Sequence, residues 1–232
     1  MNLEEDTFDN RDFVVTGAEV ILPQQYQIPN LPMVRSQGSF ASCASHAIVS
    51  AYEIQQAQVK KWILEGSEKF HYYNARKEIT KTYPDYTGMS IRQSIQTANK
   101  YGYTFETLCP YSDLNEKPNQ MAYAFSKLFK VQNYYRLYDK EAIKQAIHKN
   151  MPVICGIYIN NNFSVLNKSD YLYKPKIVGG SAHAVIIVGF DDDKQEFIIR
   201  NSWSRFWGNR GYFRMSYNDF IKYSFDWWIM EV

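Results

Sequence analysis

A cysteine attacks carbonyl carbon as its thiolate, and Cys43 sits where a thiolate is favoured. It closes the loop Gln37-Gly38-Ser39-Phe40-Ala41-Ser42. Straight after it, Ala44, Ala47, Ile48 and Ala51 recur at the i, i+3, i+4, i+7 spacing of one helix face. Cys43 is therefore expected at a helix N-terminus, where unpaired N–H groups and the helix dipole stabilise negative charge.

A nucleophilic thiol needs a base, usually histidine, and a third group to orient that base. The chain has 4 histidines. His46 lies one turn into the helix and reads as a packing residue. His71, beside Tyr72, reads as structural. His148 closes an amphipathic helix, where a solvated positive charge suits the dipole. His183 differs. It follows Gly179-Gly180-Ser181-Ala182 and opens the apolar strand Ala184–Gly189. The glycine pair gives backbone freedom and the strand gives a rigid mount for an imidazole. Asn201, in Arg200-Asn201-Ser202-Trp203, ends the strand expected to pair with that of His183. A hairpin turn at 191–194 would bring the two strand ends together. The Asn201 amide oxygen could then accept an imidazole N–H and fix its orientation, with Trp203 and Trp207 shielding that bond from water. Read blandly, Asn201 is a turn residue at a strand end.

The elements that must hold these groups fall into two halves. Residues 1–20 read as a polar lead-in, and the three prolines between Leu22 and Pro32 as an extended surface segment. The spacing predicts a helix over about 43–58 and helical continuation over 60–79. A third helix is capped by Ser90, uses Ile91, Ile95 and Ala98, and ends at Gly102. A loop runs from Leu108 to Asn119. The second half predicts strands at 133–138, 151–159, 184–190, 196–200, 211–216 and 227–232, a turn at 160–162, and a short helix after Asp139. Helices followed by strands argue for an α+β protein of two lobes, the boundary between about Leu108 and Asn133, with a ligand cleft where the lobes meet.

Composition bounds the rest. Of 232 residues, 45% are hydrophobic and 22% charged, so a packed core is expected. The aromatic share of 16%, with 19 Tyr, reads as core and rim. A net charge of +2 with no basic block beyond Lys60-Lys61 gives no reason to expect nucleic-acid binding. Nothing approaches 18 consecutive apolar residues, so no membrane partner is expected. The N-terminus lacks the basic and apolar regions of a signal peptide. The 3 cysteines, Cys43, Cys109 and Cys155, make no disulfide framework, which favours a reducing, cytoplasmic location. Cys155 reads as a buried hydrophobe; Cys109 has no assigned chemistry. The acidic turn 191–193 lacks the spaced ligands of a calcium loop, so neither metal nor cofactor is expected.

These segments together resemble a papain-like cysteine peptidase. The family carries a C-G-[SA]-C-[WY] signature with His and Asn roughly 130–150 residues downstream. Here the nucleophile segment is Phe40-Ala41-Ser42-Cys43-Ala44, and His183 follows about 140 residues later, within that interval. The block Asn201-Ser202-Trp203 through Trp207-Gly208 to Gly211-Tyr212 matches the family's Asn-Ser-Trp…Trp-Gly…Gly-Tyr pattern at every spacing. The similarity runs from about Pro23 to the C-terminus and is weakest in the middle. It implies a two-lobed α+β fold, a helical lobe at about 37–120 and an antiparallel β lobe at about 130–232, after a lead-in over 1–22. It also implies roles: Cys43 as nucleophile, His183 as base and then acid, Asn201 orienting His183, and Gln37 donating to the oxyanion beside the N–H of Cys43. Gly88 and Ala182 would face an extended peptide substrate, and Trp203 would cover the Asn–His bond. The implied activity is thiol-dependent peptide-bond hydrolysis, as an endo- or exopeptidase. Acyl transfer or isopeptidase action through the same residues is an alternative, as is a catalytically silent binding module.

Three departures surround the nucleophile. Phe40 stands where a disulfide-forming cysteine is usual, Ala41 replaces glycine, and Ala44 replaces the customary tryptophan. His46 stands where an aromatic is usual. The family's secreted members carry long inhibitory propeptides, and the lead-in here is shorter, so either control of another kind or a longer parent chain is expected.

Overall fold

A computed structural model of the chain describes residues 3–18, 20–59, 65–176 and 180–232. Lys60-Lys61, part of the predicted second helix, and Gly179 lie outside the described residues. The helical elements of the first half are α1 (Cys43–Val59), α2 (Glu68–Asn74), α3 (Ile91–Tyr101) and α4 (Gln120–Ser126). α2 runs into a wider π-type turn over Ala75–Ile79. Two short strands precede them, β1 (Val14–Val15) and β2 (Gln25–Gln27). The second half holds β3 (Asn133–Leu137), α5 (Lys140–His148), β4 (Val153–Ile159), α6 (Asn161–Ser164), β5 (Ser181–Asp191), β6 (Glu196–Arg200), β7 (Tyr212–Ser216), α7 (Tyr217–Tyr223) and β8 (Ser224–Glu231).

Local chemistry fixes several of these boundaries. Ser90 caps α3 with a full capping box: its hydroxyl accepts from Gln93 N at 3.3 Å, and its own N–H donates to Gln93 Oε1 at 2.9 Å. Gly102 ends that helix at φ +75°, and a Cβ there would meet the Ser126 carbonyl at 1.9 Å, so only glycine fits. Asp139 caps α5 by accepting from Ala142 N at 2.7 Å. The stretch 160–162, expected as a turn, instead opens α6, because Asn160 caps it through Asn162 N. α7 was hidden from periodicity by its 7-residue length.

Among the described residues the strands form one sheet, ordered β1-β3-β8-β4-β5-β6-β7, with β2 added on β5. All pairings are antiparallel except β1 with β3. The polar lead-in is thus attached to the sheet through Val14 and Val15. β5 is the centre: it pairs with β4, β6 and β2, and every residue from Ala182 to Asp191 is buried. α1 packs against β5. Its first three turns are buried on all sides, including Ser45, His46 and Val49, rather than on one face. One hydrophobic cluster therefore runs from α1 and α3 through β4, β5 and β8. Burying each of its large aliphatic side chains contributes about 1.5–3 kcal/mol.

Candidate active site

Cys43 is the first residue of α1, and His46 N donates to the Ser42 carbonyl at 3.0 Å to begin the helical ladder. The Cys43 side chain meets the backbone N–H of Ala184, the residue after His183 on β5. The helix start and the central strand thus come together across the two halves of the chain. Cys43 is 1% exposed and His183 0%.

His183 lies inside β5, two residues from its start, and pairs with Ile157 on β4. The β5–β6 hairpin carries Asn201 back beside it, one residue beyond Arg200, which pairs with Ile186. Nε2 of His183 lies 2.7 Å from Asn201 Oδ1, which also accepts from Ser202 N at 2.8 Å. The Ser202 N–H identifies this atom as the amide oxygen, which has no hydrogen to donate, so Nε2 carries the proton and Nδ1 presents its lone pair. Nδ1 is buried and has no hydrogen-bond partner among the described residues. Trp203 lies against the imidazole, ring centroids 5.3 Å apart, and Phe163 of α6 lies edge-on at 5.9 Å. The His183–Asn201 bond is itself buried, the two residues being 0% and 3% exposed.

Burial decides the protonation states. It pushes the Cys43 thiol up, although the N–H groups of Ala184 and of the helix start pull it back in part. It pushes His183 down to about 4, against the partial upward pull of Asn201. Burial thus works against the thiolate expected at a helix N-terminus, desolvation being the largest influence on the thiol.

Gln37 is fully buried and tied from both sides. Its N–H donates to Ser202 O at 2.9 Å, its Oε1 accepts from Ser202 Oγ at 2.6 Å, and its Nε2 donates to Phe40 O at 2.8 Å. The second Nε2 hydrogen is not used by that bond. Gln37, Asn201 and Trp203 thus share one junction, also marked by a bridge between Ser36 and Trp203. Gly88 is buried next to Thr87, whose carbonyl accepts from Tyr72 OH at 2.8 Å. Ala182, 6% exposed, pairs with Tyr158.

The lead-in crosses between these last two places. Leu3 is buried, Glu4 bridges Ser90 in parallel, and Glu5 accepts from the Tyr158 hydroxyl. Asp6 donates its N–H to Asp226 Oδ2 at 2.6 Å and accepts from Arg92 N at 3.1 Å and Trp228 Nε1 at 2.9 Å.

The remaining candidates behave differently. His46 is buried against Tyr111 and held down to about 3 by burial. His71 is buried, with Nδ1 2.8 Å from Ser45 Oγ and Nε2 2.8 Å from Ser94 O. His148 is exposed. Cys109 and Cys155 are buried, and all three cysteines are free. Asp191 and Asp192 of the acidic turn engage Arg214 at 3.0 Å and Lys144 at 2.7 Å. Ser202, Phe163 and Tyr111 were not singled out from the sequence. Ser202 stood within the matched block; the other two left no local signal.

The signature described as "Papain family cysteine protease" matches residues 24–225, and the chain belongs to that family. It is a papain-like cysteine peptidase with the two-lobed α+β fold of that family. An uncharacterised peptidase C1-like protein, L477, of Acanthamoeba polyphaga mimivirus is 33% identical over 230 residues, covering 88% of this chain and 72% of that one. Cathepsin S of Bos taurus is 33% identical over 82 residues, 34% of this chain and 25% of its own length. Xylellain, a cysteine protease from Xylella fastidiosa, superposes with a TM-score of 0.90 at 25% identity, covering 100% of this chain and 95% of that one.

Proposed function

We propose that the chain hydrolyses peptide bonds through Cys43, His183 and Asn201. The observation that carries this reading is the His183 imidazole: Nε2 is bound to Asn201, and Nδ1 is left with a free lone pair inside the interface that also holds Cys43. Nδ1 takes the proton of Cys43 Sγ, giving a thiolate–imidazolium pair, and the thiolate then attacks the substrate carbonyl carbon. The carbonyl electron pair moves to oxygen, where the N–H of Cys43 and the second Nε2 hydrogen of Gln37 receive it. The C–N bond breaks as His183 returns its proton to the departing amine. Water, deprotonated by the same Nδ1, then releases the acid from the thioester. Gly88, and Ala182 beside His183 on β5, are the substrate-facing positions in this reading, and Trp203 keeps the His183–Asn201 bond dry. Opening the cleft readmits water, which lowers the Cys43 pKa and raises that of His183 toward a thiolate–imidazolium pair. The three unpaired thiols support a reducing compartment.

The test is cleavage of a diverse peptide library by the full chain and by a chain lacking residues 3–12, with Cys43→Ala as control. Cleavage by either form and none by the folded variant is expected. Products equally abundant with Cys43→Ala would overturn the mechanism. Mass spectrometry with and without an added amine separates hydrolysis from acyl transfer.

A further inference from the structure

Tyr111 lies 68 positions beyond Cys43, in the loop that leaves the helical half, yet its hydroxyl reaches the site. It donates to the Gln37 carbonyl at 3.0 Å and lies 2.7 Å from Ser42 Oγ. A phenol has one hydrogen, and the Gln37 carbonyl can only accept it, so Ser42 donates to the Tyr111 oxygen. One hydroxyl thereby joins the residue carrying one proposed oxyanion donor to the residue immediately before the other. The ring is held in turn: Phe40 lies at 6.3 Å and His46 at 5.0 Å, both edge-on, and Tyr111 N donates to Glu106 Oε1 at 2.6 Å. Phe40 completes the circuit, because its carbonyl receives Gln37 Nε2.

We propose that Tyr111 is a positioning residue for the oxyanion-binding loop, fixing the spacing between the Gln37 amide and the Cys43 N–H. The proposal rests on the reading that these two groups receive the oxyanion. The loop from Gln37 to Ser42 has no disulfide and includes Gly38 at φ +62°, so its shape depends on side-chain bonds at both ends. Ser202 holds the Gln37 side chain from the β half; Tyr111 holds the loop backbone from the helical half. Donors preset at the position where charge develops act only in the transition state. Loosening them therefore lowers kcat and leaves ground-state binding nearly untouched.

Tyr111→Phe keeps the ring and removes the hydroxyl. Expected in the full chain is a fall of about tenfold in kcat with KM within twofold, the loss of one buried hydrogen bond expressed as rate. The iodoacetamide rate of Cys43 and its pH profile should stay within twofold, because alkylation forms no oxyanion. In a Gln37→Ala background the same substitution should lose most of its effect on kcat. Ser42→Ala, which cuts one of the two bonds and spares the ring, should give a smaller fall of the same kind and serves if Tyr111→Phe folds poorly. Unchanged kcat, or equal losses in kcat, alkylation rate and melting temperature, would overturn the positioning role. Full additivity with Gln37→Ala would also overturn it. A chain that hydrolyses nothing, both whole and lacking residues 3–12, would instead overturn the reading beneath it.

Discussion

Replacing Asn201 by alanine removes the acceptor that holds the His183 tautomer. In the native site the imidazole donates Nε2–H over 2.7 Å into a fully buried position, and among the described residues neither ring nitrogen has another partner. Without Asn201 Oδ1 that N–H is buried and unpaired, which costs about 1–3 kcal/mol. Two routes relieve it, and both harm the proposed chemistry. The proton can move to Nδ1, which removes the lone pair that accepts the Cys43 proton, or the ring can rotate away from β5. The Asn201 bond also raises the imidazole pKa against burial, so its loss moves His183 further below about 4. The expected result is a fall of roughly 5- to 150-fold in kcat/KM, from 1–3 kcal/mol at 1.4 kcal/mol per decade. Asn201→Asp keeps an acceptor and adds a negative charge, so it should retain more activity and move the limb of the activity profile that reports His183 to higher pH. Both variants would be assayed on one peptide from the library across pH 4–9, with melting temperature as the fold control. Asn201→Ala within twofold of wild type while correctly folded would refute the claim that this bond sets the base.

Other consequences concern the framework. Arg35 bridges two buried carboxylates, Glu53 at 2.7 Å and Glu68 at 2.6 Å. Arg35→Met strands both, so a loss of about 3–5 kcal/mol at pH 8 is expected in urea unfolding. Burial already raises Glu53 to about 7, above its ordinary 4.5, and the native state binds its proton more tightly than the unfolded chain. The deficit should shrink as pH falls from 8 to 5, and equal deficits at both would count against this account. His71 is held down to about 4 from an ordinary 6.5, so the stability it contributes is present above pH 6.5 and is lost as pH falls toward 4. His71→Gln should flatten that fall by up to about 3 kcal/mol, read from urea midpoints at pH 7 and pH 4.5. A chain lacking residues 3–12 no longer places Leu3–Asp6 between Ser90 and Tyr158. Its Cys43 should be alkylated by iodoacetamide at least an order of magnitude faster, followed by mass spectrometry of the modified peptide; an unchanged rate would show that the segment does not cover the thiol.

Local patterns were enough to place most of the framework. The apolar spacing after Cys43, the cap at Ser90, the glycine at 102 and the acidic hairpin turn each encode their element within a few residues, so helix α1, helix α3 and the β5–β6 hairpin were legible. The motif block around Asn201 carried the family resemblance because its spacings are fixed along one short segment. What escaped was long-range. The burial of α1 on all sides comes from its position between α3 and the sheet, and a single-face reading cannot anticipate a second packed neighbour. The lead-in is polar in composition, yet Leu3, Val14 and Val15 dock it.

The sequence alone determined which groups could do chemistry: a cysteine at a helix start, a histidine on an apolar strand, and an asparagine one hairpin away. Only the tertiary structure decided their state. It brought Cys43 beside Ala184, buried both Cys43 and His183, and so set desolvation against the charge preference that a helix N-terminus alone would give. It also brought Tyr111 to Gln37 and Ser42, three residues separated along the chain whose bonds to one hydroxyl no local pattern encodes. The physical reason is common to both: pKa and loop position depend on solvent exclusion and on partners supplied by distant segments, and neither exists until the two halves have packed.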